Sequence, residues 1–264
     1  EPKPEPAAEP APAPEPGLSG ADRVVTGRLP SIGDTPTEDA ADPVAETPGE
    51  GAVAAAVADL PAIERNRIAF EAAGELPLLA LLLLDTGARD GLDGLDALPF
   101  PLTVAVDASA ADAAEAIAFY QARDIEVALV LPLPAAATPA DVDVTVEAYG
   151  TLLDAAAVVV VESALGFQTL GGGARQLATN LAESGHGLVS FPAGLNTGHK
   201  EAEKQGVPAG LVFLDLDSEG QGGPVIRRFL DNAAFRARNE AGVIVFARTR
   251  EETLQALLEW SDGN

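Results

Sequence analysis

The residues best placed for chemistry are those that end the buried apolar runs of this chain, and the first is Asp85. It closes Leu81-Leu82-Leu83-Leu84 and is followed by Thr86-Gly87. A carboxylate there can serve as a general base or as a capping group. Alone it cannot hold a divalent cation, which takes about three or four ligands. Where a paired carboxylate would supply the next ligand, the chain has Thr86. The later runs end on Asp107, Pro132, Glu162-Ser163, Pro192, Asp215 with Asp217, and Arg248-Thr249. This rim is acidic and carries no His. Zinc, cobalt and nickel centres draw on imidazole or thiolate, so a transition-metal hydrolase is hard to build from it. The carboxylates could gather around Ca²⁺ or Mg²⁺, but separate helix caps and solvated groups are the simpler reading. The binding candidates are therefore Asp107, Glu162, Ser163, Asp215 and Arg248, with no metal and no cofactor expected.

The two histidines divide by face. His186 precedes an apolar run, which places it opposite the site and gives it a structural role. His199 follows a run and could lean toward the site, although a lone His at a helix start is usually just exposed. A Ser-His-Asp triad would need Ser163 or Ser190 to meet it, and no GxSxG elbow supports that. Gly171-Gly172-Gly173 opens a helix and could bind an anion through backbone N–H groups, but a flexible loop is the simpler account.

The elements that must position these residues alternate. Short apolar runs at 78–85, 102–107, 125–131, 157–161, 188–191, 211–215 and 243–246 read as seven strands buried on both faces. Helical segments follow at 110–123, 138–153, 173–184, 197–205, 221–239 and 251–260. Thr138-Pro139-Ala140-Asp141 carries an N-cap, a proline in the first turn and an early acid. Alternation of this kind gives a parallel α/β sheet, either an incomplete barrel or an open doubly wound sheet. No GxGxxG or GxxxxGK[ST] follows any run, which removes the best support for nucleotide binding.

Composition sets the surroundings. The chain has 264 residues, a net charge of −25, no Cys and no Met. So acidic a surface repels phosphate backbones, and nucleic acid is excluded as a natural partner. Without an initiator Met the chain reads as processed or trimmed. The longest apolar run, Leu76 to Leu84, includes Pro77 and is too short to span a bilayer. Residues 1–51 are rich in Pro, Ala and acids and read as a disordered spacer, suited to tethering a domain to a membrane. Residues 52–76 hold Leu60, Ile63, Ile68 and Phe70 without a clear period and read as an arm packed on the domain.

The order of motifs from Pro77 to Trp260 resembles the divergent polysaccharide deacetylase family, a branch of the NodB-like carbohydrate esterases of bacterial envelopes. The resemblance is carried by Leu81 to Gly87, Pro101 to Val106, Ile125 to Pro132, Gly206 to Asp215 and Arg250 to Leu254. It implies an incomplete (β/α)7 barrel of parallel strands over residues 77–264. In active members it implies zinc held by an Asp and two His, with a separate Asp base and His acid. Asp85 matches the base. Thr86 stands for the second Asp, Val130 for the His of a His-Leu-Pro, and Ala164 for the His of an Asn-Asn-His-Met-Gly-Ser. Pro192-Ala193 replaces an Asp-Ser, and Ala247-Arg248-Thr249 replaces a Gly-His-Pro. The resemblance thus implies a catalytically degenerate, periplasmic member, tethered through an upstream anchor, whose cleft binds an envelope polysaccharide or a protein. An active hydrolase and a purely structural interaction domain are the alternatives. The single Trp, Trp260, lies in the final helix, and so few aromatics count mildly against tight sugar stacking.

Overall fold

A computed structural model describes residues 59–72, 74, 76–92, 94–162 and 166–263. The spacer expected over 1–51 lies outside the described residues, as does the part of the arm before Asp59. The described residues form seven strands: β1 Leu79–Leu84, β2 Thr103–Asp107, β3 Glu126–Val130, β4 Val158–Val161, β5 Gly187–Ser190, β6 Ala209–Asp215 and β7 Val243–Arg248. All neighbours pair in parallel, in chain order, and β7 returns to pair with β1 along the whole of Leu79–Leu84. The barrel is incomplete only in having seven strands rather than eight; its ring is closed.

A strand's alternating side chains divide this wall into two apolar layers. The inner layer is Leu82, Ala105, Ala128, Val130, Val160, Val189, Val212 and Phe246. Seven strands enclose a narrow space, so small residues must stand opposite large ones. Gly210 shows the constraint: a Cβ there would lie 2.3 Å from Ile244 Cδ1. The outer layer joins Leu81, Leu83, Val104, Val106, Leu129, Val159 and Leu188 to buried helix residues such as Ile117, Leu177, Leu181, Ile226, Leu230 and Leu257.

Those helices are Ala113–Gln121, Pro139–Ala148, Gly172–Ser184, Thr197–Lys204, Gly223–Ala237 and Glu251–Asp262. The helix expected over 138–153 is broken. It ends at Ala148, Tyr149 leaves helical geometry at φ −103°, ψ 11°, and a separate turn runs over Gly150–Leu153. Gly150, the poorest non-proline helix former, opens that turn. Between β1 and β2 a loop replaces the helix, with Leu92 and Leu95 buried in the outer layer.

The end of the barrel opposite the strand exits is closed by the arm. The short helix Ala62–Asn66 buries Ala62 completely. Ile63 donates its N–H to the Gly185 carbonyl at 2.9 Å, and its Cδ1 lies 2.9 Å from where a Gly187 Cβ would be. Asn66 donates to the carbonyls of Asp154 and Ala156. Ile68 N–H reaches Glu126, whose other oxygen accepts from Thr103.

Candidate mouth of the barrel

The carboxyl ends of the strands form the candidate site, and strand parity decides which side chains face into it. The inward row of β7 runs Ile244, Phe246, Arg248; that of β2 runs Ala105, Asp107; that of β5 runs Val189, Phe191. β6 has a register shift between Val212 and Leu214, and this bulge puts Asp215 opposite Phe246 and back onto the inward row. Asp85 belongs to the other row. It continues Leu81 and Leu83, which pack against the helices.

Asp85 is accordingly engaged from several sides. Its side chain is only 5% exposed and is ion-paired with Arg89. Oδ1 accepts from the Tyr120 hydroxyl at 2.8 Å and from the Gly87 N–H at 3.1 Å. Arg89 extends to Asp112 at 2.6 Å. Burial opposes the Arg89 charge, but the Asp112 and Asp85 carboxylates outweigh it and hold the guanidinium above its ordinary value. Burial, with the hydrogen bond to Asp85, pushes the Tyr120 phenol up. A general base must reach a substrate proton, and here the oxygens of Asp85 are spent on the helix layer. Sequence reasoning missed Arg89 and Tyr120: Arg89 lies in the loop after β1 and Tyr120 lies 35 positions from Asp85, so no local pattern joins either to it.

At Thr86, where a second carboxylate would stand, the backbone N–H donates to Thr249 Oγ1 at 3.0 Å and the hydroxyl lies 3.2 Å from the Thr249 carbonyl. The pair ties the exit of β1 to that of β7.

Asp215 and Arg248 come together. Arg248 donates from Nη1 to Asp215 Oδ1 at 2.7 Å, from Nη2 to Asp215 Oδ2 at 3.1 Å, and from Nη1 again to Asp217 Oδ1 at 2.7 Å. Asp217 is fully buried, and its Oδ2 accepts from the Thr253 hydroxyl at 2.7 Å and the Arg248 N–H at 3.2 Å. Against the cost of burial, these carboxylates raise the Arg248 pKa. Its guanidinium carbon lies 5.5 Å from the Phe246 ring centroid, and Phe246 meets Phe191 edge to face at 5.1 Å.

The remaining candidates stand apart. Asp107 Oδ1 caps its own turn, accepting from the N–H and hydroxyl of Ser109. Glu162 is half-buried just beyond β4. Ser163, and Ala164 with it, lies outside the described residues. His186 bridges Ser184 and the Leu153 carbonyl at the far end of the barrel, where burial pushes its pKa down. Ser190 and His199 are linked through Gln168. Its amide nitrogen donates to Ser190 Oγ at 3.1 Å and its oxygen accepts from the His199 backbone N–H at 3.0 Å, while the His199 ring faces Glu203. In the glycine triplet, a Cβ on Gly173 would sit 2.4 Å from the Ala137 carbonyl, so close packing requires that glycine.

The donor set does not fit zinc. Thr86 is committed to Thr249, a guanidinium occupies the mouth beside Asp215, and among the described residues no three His, Cys, Asp or Glu side chains are grouped to hold a metal.

No protein-family model matches the chain, and no curated protein matches it either. Among solved structures it is similar to an uncharacterized protein, ATU2773, from Agrobacterium tumefaciens C58. The two are 17% identical with a TM-score of 0.65, over 77% of this chain and 89% of that one. A second similarity is to the catalytic domain of a peptidoglycan N-acetylglucosamine deacetylase from Eubacterium rectale ATCC 33656. There the identity is 13% and the TM-score 0.48, over 74% of this chain and 87% of that domain. At 17% identity the likeness to ATU2773 is one of fold.

Proposed function

We propose that this barrel is a catalytically degenerate relative of the polysaccharide deacetylases, and that its mouth binds an envelope glycan without hydrolysing it. The supporting observation is the pairing of an aromatic face with a fixed polar array. Phe191 is half-exposed beside Phe246, next to Arg248 held by Asp215 and Asp217. Sugar rings bind to such a combination, their C–H faces against an aromatic ring and their polar groups against charged donors and acceptors. The one acid matching the family's base is turned to the helix layer, and among the described residues nothing beside the mouth is of a type to replace a metal-activated water. On this reading the protein works in the bacterial envelope, where such glycans occur.

Titration calorimetry with chitooligosaccharides and peptidoglycan fragments, run beside an assay for released acetate with and without zinc, tests the proposal. Saturable binding without acetate release is the expected result. Zinc-dependent acetate release that disappears in Asp85→Asn would overturn it in favour of a hydrolase. The absence of binding to any glycan would overturn it in favour of a structural interaction domain.

A further inference from the structure

Arg248 has donors to spare. Its two Nη1 hydrogens go to Asp215 and Asp217, and one Nη2 hydrogen goes to Asp215. The other Nη2 hydrogen and the Nε hydrogen have no acceptor among the described residues, and Nε is not among the buried polar atoms left without a partner. These two hydrogens lie on one edge of the planar guanidinium, parallel and about 2 Å apart, the fork that recognises a planar oxygen acceptor. The side chain is 26% exposed, and Asp217, itself fully buried, fixes it in place. The fork is therefore preorganised before any ligand arrives, which removes the ordering cost that a mobile Arg would bring to binding.

Charge selects the acceptor. Arg248 and Arg250 are matched by Asp215 and Asp217, all within the ion-pair network at the exits of β6 and β7. Asp107 and Glu162 then leave the rim negative, on a chain whose net charge is −25. A carboxylate entering this field is repelled, while an uncharged carbonyl meets the same two donors without that penalty.

We propose that Arg248 is a specificity-determining residue of the mouth, whose Nε–Nη2 edge donates paired hydrogen bonds to the amide carbonyl of an uncharged ligand and whose acidic surroundings reject ligands carrying a carboxylate. As a statement about glycans this rests on the binding function proposed above; as a statement about amides it does not.

The experiment is NMR observation of arginine side-chain Nε–H resonances in the intact protein, with the Arg248 signal assigned by its loss in Arg248→Lys. Acetamide and acetate serve as bare probes at equal concentration, and N-acetylated, de-N-acetylated and carboxylate-bearing oligosaccharides as ligands. Acetamide should shift the Arg248 Nε–H signal more than acetate does at low salt, and the difference should narrow as salt is raised. The N-acetylated oligosaccharide should shift it too, bind more tightly than the carboxylate-bearing one, and lose about tenfold in affinity in Arg248→Lys, which keeps the charge without the planar edge. An Nε–H signal unmoved by acetamide, or moved more by acetate, overturns the inference. If acetamide moves the signal and no oligosaccharide binds, the inference stands and the glycan reading falls. If oligosaccharides bind equally well to Arg248→Lys, the glycan reading stands and the inference falls.

Discussion

Asp85 shows how one step in strand parity changes what a residue is for. Had the β1 exit placed it on the inward row, it would face the mouth; on the helix-facing row it is a buried acid that needs partners, which Arg89, Tyr120 and the Gly87 N–H supply. Removing one member of a buried ion pair strands the other charge, at about 3–5 kcal/mol. Asp112 still holds Arg89, so Asp85→Asn should cost less, about 2 kcal/mol. Tyr120→Phe, which removes one donor to a buried carboxylate, should cost about 1.5–2 kcal/mol. Urea unfolding of the two variants checks both values. An Asp85→Asn protein as stable as its parent would mean the network contributes nothing to the fold. His186 gives a pH-dependent case at the same scale. Its folded pKa is depressed by burial, so the unfolded chain binds the proton more readily. Its contribution is complete above the ordinary His value of about 6.5 and is lost as pH falls below it. The loss of stability between about pH 7.5 and pH 5.5 should accordingly be smaller in His186→Gln than in the parent, by thermal unfolding at both pH values.

At the scale of elements, the strands were legible and the pairings between side chains were not. A strand buried on both faces reads as an unbroken apolar run, and Leu81–Leu84, Val158–Val161 and Val243–Phe246 stand out for that reason. Rim positions such as Asp215 and Arg248 follow once the runs are placed. What they touch does not, because the bulge between Val212 and Leu214 sets which face Asp215 occupies, and no residue pattern announces it. Tyr120, lying 35 positions from Asp85, was invisible because packing of its helix on the barrel, and not local spacing, brings the two together. Local signals did better. Thr138 and Asp141 form a reciprocal capping box, the Asp141 N–H donating to the Thr138 side chain and the Thr138 N–H to the Asp141 carboxylate. That cap governs only Pro139–Ala148, since the helix breaks at Tyr149. Thr138→Ala should therefore cost about 1 kcal/mol in urea unfolding, and Thr138→Asn only a few tenths, because Asn can make the same bond.

For the molecule as a whole, the end of the barrel opposite the mouth is closed by a chain segment outside the barrel's repeating pattern. Ala62, Ile63 and Asn66 seal the lower ends of β4 and β5. The seal requires Gly185. It ends the helix Gly172–Ser184 at φ +75°, and a Cβ there would lie 2.5 Å from Pro61 Cβ and 2.6 Å from Pro61 Cα. Two costs are therefore combined in Gly185→Ala: left-handed backbone strain, about 1 kcal/mol, and the clash that unseats the arm. Gly206 separates them. It holds φ +82° with nothing within 4 Å of a Cβ, so Gly206→Ala carries the strain alone. Gly185→Ala should lose at least about 2 kcal/mol more than Gly206→Ala, the scale of withdrawing one or two apolar side chains from a packed site. It should also become open to proteolysis between Asp59 and Phe70 under conditions in which the Gly206 variant resists. Equal losses in the two variants, with the arm protected in both, would show that the barrel does not rely on this segment to close its lower end.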